Sequence, residues 1–310
     1  NAELFKSLLT EAVAESDDAL VEKYLDKGEL TQDEIKNAFR KALITKAVIP
    51  VFAWSSAKNI GVKDLLNAIV DYMPSPLDVP LREGINVSTN EKVKIAPDKN
   101  GIFSGQVFKT ISDPYVGQVS IMRIYSGTLQ SNGSFFIVDK RVKEKMGPLF
   151  TLMGKNQANI TVAIAGDIAA TSKLKDTQTN DSIGDEKNPV KLSDIRFPEP
   201  AISYSIKPKT RADEDKISTV LHKIIAEDPT FKAVRDAQTK ELVVSGLGDL
   251  HINIMLNRMK SRYGVNVDVG TPKVAYKETV LGNGDSQYRH RKQSGGAGQF
   301  AEVWLKVGPL

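Results

Sequence analysis

The chain has 310 residues, no cysteine and three histidines, and its 42 Lys and Arg residues against 38 Asp and Glu residues give a net charge of +4. This length predicts two or three domains. The absence of cysteine excludes disulfides, thiolate catalysis and cysteine-ligated metal clusters, and it fits the reducing cytoplasm, where we expect the protein to be. Because the charge balance is only mildly basic, any nucleic-acid contact must come from local patches.

Neither a membrane span nor a signal peptide is predicted, because the sequence has no run of about 18 apolar residues and no basic stretch followed by an apolar core. Asn1 and Ala2 begin inside a helical pattern without an initiator methionine. We therefore expect an internal part of a longer protein. His222 and His251 have no second ligand at metal-binding spacing, so no metal site is predicted.

The pattern of residues 1–80 predicts helices followed by the edge of an α/β domain. Apolar residues recur at helical spacing through residues 3–46, and Thr31 with Glu34 has the spacing of a capping box. The apolar run 47–53 has the length of a buried strand, and a helical pattern from Val62 to Met73 follows it. Three prolines in residues 73–80 predict a linker.

Residues 86–192 alternate with period two between turns, which predicts an antiparallel β-barrel or sandwich. A second proline-rich hinge follows at residues 197–200. Residues 198–275 then show the order strand, helix, two strands, helix, strand, which is typical of a ferredoxin-like split βαβ domain. Residues 276–310 contain strands around a glycine-rich loop, and we interpret them as the beginning of a further domain.

The tetrapeptide Ser55-Ser56-Ala57-Lys58 lies between the predicted strand and the next helix. A turn at the carboxyl end of such a strand offers backbone N–H groups to a nucleotide. On its own the tetrapeptide is more typical of an ordinary polar turn. The sequence contains neither GxxxxGK[ST] nor Asn-Lys-x-Asp, so the phosphate-binding half of a GTP site is absent from it.

Residues 296–301 match the G-x-G-x-x-A pattern of dinucleotide sites, but an alternating, strand-like segment follows where that site requires a helix. We therefore exclude a dinucleotide site. The glycine-rich loop lies beside Arg289, His290, Arg291 and Lys292, a composition that suits close approach to RNA. A solvated turn explains the same composition equally well.

Several stretches, taken in this order, resemble elongation factor G and its close relatives among the translational GTPases. The segment PVFAWSSAKNIGVKDLLNAIVDYMPSPLDVP resembles the end of the family's GTPase domain, with Ser56 where the family usually has alanine. FKTISDPYVGQVSIMRIYSGTL and AGDIAATSKLKDTQTNDSI resemble the second domain, with Asn180 in place of a glycine. SGLGDLHINIMLNRMKSRYGVNVDVGTPKVAYKET resembles the third domain, and YRHRKQSGGAGQF the start of the fourth.

The resemblance implies a multidomain fold in four parts. These are the end of a P-loop GTPase α/β domain with a helical insertion (1–80), an antiparallel β-barrel domain II (86–192), a ferredoxin-like domain III (198–275) and the beginning of domain IV (276–310). It also implies a ribosome-bound GTPase that moves tRNA and mRNA. The P-loop and switches would then lie upstream of Asn1, so we expect this chain to be inactive alone.

The resemblance also implies roles for individual residues. Ser55, Ser56 and Ala57 would form the guanine side of a GTP site, whose GTP or GDP and Mg²⁺ would be bound by the longer protein and not by this chain alone. RNA contacts would come from the domain IV tip, where Ala297 replaces an arginine usual in the housekeeping factors. The residues concerned are Arg289, Arg291, Lys292, Gln293, Gly295, Gly296 and Gln299.

The implied partners are the ribosome, ribosomal RNA and the tRNA–mRNA complex, with no membrane partner and a monomeric state. Two alternatives remain open on the sequence. One is a non-enzymatic module that binds RNA or the ribosome. The other is a relative of the same family that recycles ribosomes or protects them from an antibiotic.

Overall fold

The computed structural model describes residues 2–15, 17–113, 117–154, 156–293 and 295–309. It divides the chain into two units, residues 1–197 with 226–229 and residues 198–225 with 230–310. The described residues form six helices and nineteen strands, which confirms a mixed α/β protein with several antiparallel sheets. None of the described helices combines the length and the apolar character needed to cross a membrane.

The first unit begins with the predicted helices, α1 (Ala2–Ala14), α2 (Asp18–Lys27), α3 (Gln32–Thr45) and, further on, α4 (Val62–Tyr72). The predicted capping box is confirmed, because the side chain of Thr31 accepts from the Glu34 N–H while Glu34 accepts from the Thr31 N–H. Lys23 also binds Glu34, and this bond together with the Thr31 donors lowers the pKa of Glu34 to about 2.

The predicted strand over residues 47–53 is not formed. These residues lie outside any strand, and Ile49 and Val51 are 83% and 92% exposed. A strand needs a neighbour to satisfy its backbone N–H and C=O groups, and no described strand pairs with this segment. The nearest pairing that the structure describes is an isolated bridge between Ser55 and Ile60.

Thirteen strands build the rest of the first unit, as the period-two pattern predicts. They are β1 (Arg82–Asn86), β2 (Lys92–Ile95), β3 (Ser104–Asp113), β4 (Gly117–Ser126), β5 (Thr128–Gln130), β6 (Ser134–Ile137), β7 (Val142–Lys145), β8 (Leu149–Met153), β9 (Asn156–Ile160), β10 (Val162–Ile164), β11 (Ile168–Ser172), β12 (Ser182–Gly184) and β13 (Val190–Leu192).

Eight of these strands form one antiparallel sheet in the order β7-β6-β12-β3-β4-β11-β8-β9. Strands β13, β1 and β2 form a second sheet, and β10 pairs with β5. The described ladders do not join β7 to β9, so hydrogen bonding leaves the large sheet open where a closed barrel would join its edges. Its core contains Val107, Met122, Ile124 and Ile137, all fully buried.

The second unit contains the predicted ferredoxin-like module. Its elements are β14 (Ile202–Pro208), α5 (Arg211–Glu227), β15 (Lys232–Arg235), β16 (Leu242–Gly246), α6 (Asp249–Tyr263) and β17 (Val267–Gly270). The sheet order is β15-β16-β14-β17, all antiparallel, which is the arrangement of a split βαβ fold. One apolar cluster joins the helices to the sheet, with Ile224, Phe231 and Met259 fully buried.

The chain continues into a long hairpin, β18 (Gly284–Lys292) and β19 (Gln299–Val307), as the strand pattern around the glycine-rich loop predicts. The nine residues of each strand pair without a register shift, from Gly284 opposite Val307 to Lys292 opposite Gln299. Almost all of its side chains are exposed in contrast to those of the module.

Candidate nucleic-acid interface

The glycine-rich loop closes the β18–β19 hairpin between Lys292 and Gln299, which are paired across the ladder. Gly295 and Gly296 have φ angles of 66° and 92°, in the left-handed region that favours glycine. A Cβ atom on either residue would meet nothing within 4 Å. The backbone of the loop is therefore uncovered and open to a ligand. Ser294 lies outside the described residues.

The strand pleat separates the four consecutive basic side chains beside this loop. Residues directly opposite each other in an antiparallel ladder share a face, and faces alternate along each strand. The register therefore puts Arg289 and Arg291 on one face and His290 and Lys292 on the other. What reads as one basic run in the sequence forms two smaller basic patches.

Arg289 is not a free cation. Its Nε and Nη2 atoms donate to the two carboxylate oxygens of Glu302, each at 3.1 Å, in a forked ion pair across the ladder. Gln287 donates to the same carboxylate. The predicted RNA contact at Arg289 is thus partly neutralised in the free protein, because Glu302 already occupies its guanidinium.

Arg291 and Lys292 remain available. Both are exposed, and within the described chain no carboxylate forms an ion pair with either. Gln293 and Gln299 flank the loop and are exposed as well. The structure therefore brings Arg291, Lys292 and the two glutamines to one end of the hairpin, beside the open glycine backbone.

The structure adds two aromatic residues that the sequence analysis did not single out. Phe300 lies opposite Arg291 and Trp304 opposite Gln287, so both rings share the face of the arginines. They are 66% and 74% exposed. Aromatic rings beside arginines are the usual stacking platform for unpaired bases. The period-two spacing of residues 300, 302 and 304 already places their side chains on one face of a strand. That this face is also the face of the arginines follows only from the pairing with β18.

The Ser55–Ala57 turn lies in the first unit, directly before α4. Ser55 and Ile60 exchange two backbone hydrogen bonds of 3.0 and 3.1 Å, which fold residues 55–60 into a tight turn. Ser56 and Ala57 are exposed, and no described residue accepts from their backbone N–H groups. The turn therefore offers two free donors, the chemistry that suits the carbonyl edge of a base.

Metal-binding chemistry is not apparent in the part of the chain that the structure describes. No group of three or more His, Asp or Glu side chains there is arranged to hold an ion. His251 is used structurally, because its Nδ1 accepts the Leu247 N–H at 3.0 Å ahead of α6.

Three family models match successive parts of the chain. They are described as elongation factor G domain 2, matching residues 102–186, Elongation Factor G, domain III, matching residues 197–271, and Elongation factor G, domain IV, matching residues 272–310. The third covers the hairpin and its loop. The first two cover the eight-stranded sheet and the ferredoxin-like module.

A solved crystal structure of a protein from Thermus thermophilus is also similar, with 31% sequence identity and a TM-score of 0.72. The match covers 97% of this chain and 43% of that protein. The chain thus spans less than half the length of this neighbour. Taken with the ordered domain matches, this shows that the chain belongs to the elongation factor G family, a class of translation elongation factors.

Proposed function

We propose that this chain acts in a ribosome-bound translation factor that moves tRNA and mRNA with the use of GTP hydrolysis, and that its hairpin loop contacts RNA. The observation that carries the proposal is the tip of the β18–β19 hairpin, where an uncovered glycine backbone lies beside exposed, unpaired Arg291 and Lys292. The family membership supports the setting in translation.

The chemistry of the tip suits an RNA backbone. Gly295 and Gly296 present N–H and C=O groups without a side chain in the way, so the loop can approach phosphate and ribose closely. Gln293 and Gln299 add amide donors and acceptors, and Arg291 and Lys292 add attraction that weakens with salt. Ala297 carries no charge, so the basic side chains of the strands provide the cationic contacts.

The Ser55–Ala57 turn supports a role on the guanine side of a GTP site. Its free Ser56 and Ala57 N–H groups would donate to the base, while GTP, when bound, supplies the hydrolysis energy for the conformational cycle. The sequence has no phosphate-binding motif to complete such a site. We therefore expect the purified 310-residue chain not to hydrolyse GTP. Measurable turnover above background would contradict this.

A paired assay in the full-length factor tests the role of the loop. Gly296→Val places a β-branched residue at φ 92°, a conformation that it adopts only with strain, and it puts a side chain between the backbone and RNA. We expect tRNA–mRNA movement to fall at least tenfold while ribosome-stimulated GTP hydrolysis stays within twofold.

Gly154→Val is the matched control. Gly154 also has a positive φ, 61°, and a Cβ atom added there would meet nothing within 4 Å, but it lies in the β8–β9 turn. It should therefore share the backbone strain without touching the proposed interface. Equal loss of both activities in Gly296→Val, or no loss of either, would contradict the proposal. Ribosome splitting without tRNA movement would instead assign the factor to recycling.

A further inference from the structure

A cleft of about 620 Å³ lies in the first unit between the proline-rich linker and the face of strands β3 and β4. The register places Gln106 directly opposite Arg123, so these two side chains share a face, and Tyr125, at an irregularity of the ladder, lines the cleft with them. Pro76 and Pro80 of the linker also line the cleft. The volume is in the range of small-molecule sites, which is about 300–1,000 Å³.

Two guanidinium groups line this cleft without an anionic partner. The guanidinium carbon of Arg82 lies 4.9 Å from the ring centroid of Tyr125, in a cation–π contact. Arg123 is half-buried. Among the residues that the structure describes, no carboxylate forms an ion pair with either arginine. For the half-buried Arg123 this is costly, because its charge is partly removed from water. The pair is therefore suited to an anionic ligand.

The acidic groups nearby do not cancel this charge. Asp194 lines the cleft, but its carboxylate accepts from the Asn180 amide at 3.1 Å and lies 4.0 Å from the Lys191 ammonium. Glu83 lines only the narrow recess next to the cleft. The one carboxylate that lines the cleft with the two arginines thus already has a hydrogen-bond donor and a nearby cation.

Planar and polar groups complete the cleft. Phe108 lines it with its side chain 37% exposed. Gln106 is only 4% exposed, and its amide nitrogen donates to the Ser193 carbonyl at 3.1 Å, which holds the side chain in place. Its amide oxygen accepts from no described residue. A flat ligand could stack on the ring or on the guanidinium of Arg82 and donate a hydrogen bond to this oxygen.

We propose that this cleft binds a nucleotide, either free or as the terminal residue of an RNA strand. Arg82 and Arg123 pair with the phosphate, because guanidinium groups match phosphate oxygens in a fork. The base lies against Phe108 and is read in part by Gln106. None of the residues that line this cleft belongs to the Ser55–Ala57 turn or to the hairpin loop, so the proposal goes beyond the function proposed above.

Isothermal titration of the 310-residue chain tests the proposal, with AMP, GMP, inorganic phosphate and a 5′-phosphorylated RNA tetranucleotide as probes. We expect saturable binding of at least one nucleotide below millimolar concentration, and binding at least tenfold weaker in Arg123→Gln and in Arg82→Gln. Inorganic phosphate should bind at least tenfold more weakly than the nucleotide. Tighter binding of the tetranucleotide assigns the ligand to an RNA end, and equal binding assigns it to a free nucleotide.

Arg141→Gln serves as the control, since Arg141 is an exposed arginine in the β6–β7 turn outside the cleft. It should bind as the unmodified chain does. Because Arg82 is exposed, Arg82→Gln keeps the test valid even if Arg123→Gln unfolds. The proposal is overturned if no nucleotide saturates the chain, if phosphate binds as well as the nucleotide, or if both arginine variants of the cleft bind normally. None of these results affects the hairpin loop, whose test measures tRNA movement.

Discussion

The ferredoxin-like module and the β18–β19 hairpin belong to the same unit and both contain antiparallel strands, but they bury their apolar residues to different extents. In the module, two helices cover one face of the sheet and bury Ile224, Phe231 and Met259 completely. In the hairpin, Phe300 and Trp304 stay largely exposed to solvent among the described residues. The difference shows that strand pattern alone does not distinguish a packing face from a binding face.

The largest expected effect on the free energy of unfolding is that of Phe231→Ala, which is compared with Phe300→Ala. Phe231 is fully buried, so its truncation should lower the free energy of unfolding of the module by about 3–5 kcal/mol. Phe300→Ala removes the same atoms from an exposed position and should cost less than about 1 kcal/mol. Hydrogen exchange in urea measures both effects, at the β16 amides for Phe231→Ala and at the amides of the β18–β19 ladder for Phe300→Ala. Similar losses would mean that the hairpin ring is packed in solution.

A second pair of substitutions compares Gly127, where neighbouring backbone leaves no room for a Cβ atom, with Gly295, where a Cβ atom would meet nothing. Gly127 has φ 74°, and a Cβ there would lie 2.6 Å from the Phe103 Cα atom. Gly127→Ala should therefore cost about 3 kcal/mol, through backbone strain and overpacking together. Gly295→Ala has only the strain, at φ 66°, and should cost about 1 kcal/mol. Urea unfolding of the two variants decides whether close approach or φ dominates.

The hydrogen-bonded carboxylate of Asp213 in the module should make stability depend on pH more strongly than an exposed carboxylate does. Asp213 accepts from the Thr210 hydroxyl and from the Asn266 and Thr210 N–H groups, and these bonds lower its pKa. Since the folded state favours the ionised form, this stabilisation is full above the unfolded pKa of about 3.9 and is lost as pH falls through the lower folded value.

Asp213→Asn should therefore flatten the loss of module stability on acidification, while it lowers stability at pH 7. Asp268→Asn is the control, because Asp268 is exposed and has only the Lys209 ion pair of 3.3 Å among the described contacts. Urea midpoints between pH 7 and about pH 2 check the prediction. An unchanged acid slope in Asp213→Asn would show that this carboxylate does not link α5 to the segment before β17 in solution.

The smallest expected effect is on the salt dependence of RNA binding, and it should differ between Arg291 and Arg289, two arginines on one face of the hairpin. Arg291→Gln removes an unpaired cation and should lower the salt dependence of single-stranded RNA binding by about 0.7 in the slope of log K against log salt. Arg289→Gln should change it less, because Glu302 already neutralises that guanidinium. RNA binding measured from low to moderate salt compares them. An equal change in both would mean that RNA displaces Glu302.

Local pattern was sufficient to predict much of this fold. Helical spacing and the Thr31 capping box predicted α1–α3, because these signals depend on residues within a turn of each other. The order of elements in the module was also correct, since two amphipathic helices and four short strands leave few ways to cover one sheet face. The functional roles of individual residues remain predictions. They are the guanine side of a GTP site for Ser55–Ala57, and RNA contacts for Arg291, Lys292, Gln293, Gly295, Gly296 and Gln299.

Tertiary structure decided the features that depend on partners distant in sequence. Residues 47–53 have the composition of a strand but no described neighbour to bond, so they form none. The register divided the basic run of the hairpin between two faces and gave Arg289 a carboxylate partner. Arg82 and Arg123 met in one cleft only because β1 and β4 fold beside the same linker. Sequence alone determined the local elements, because their hydrogen bonds and spacing are local; charge pairing and exposure were set by which elements came together.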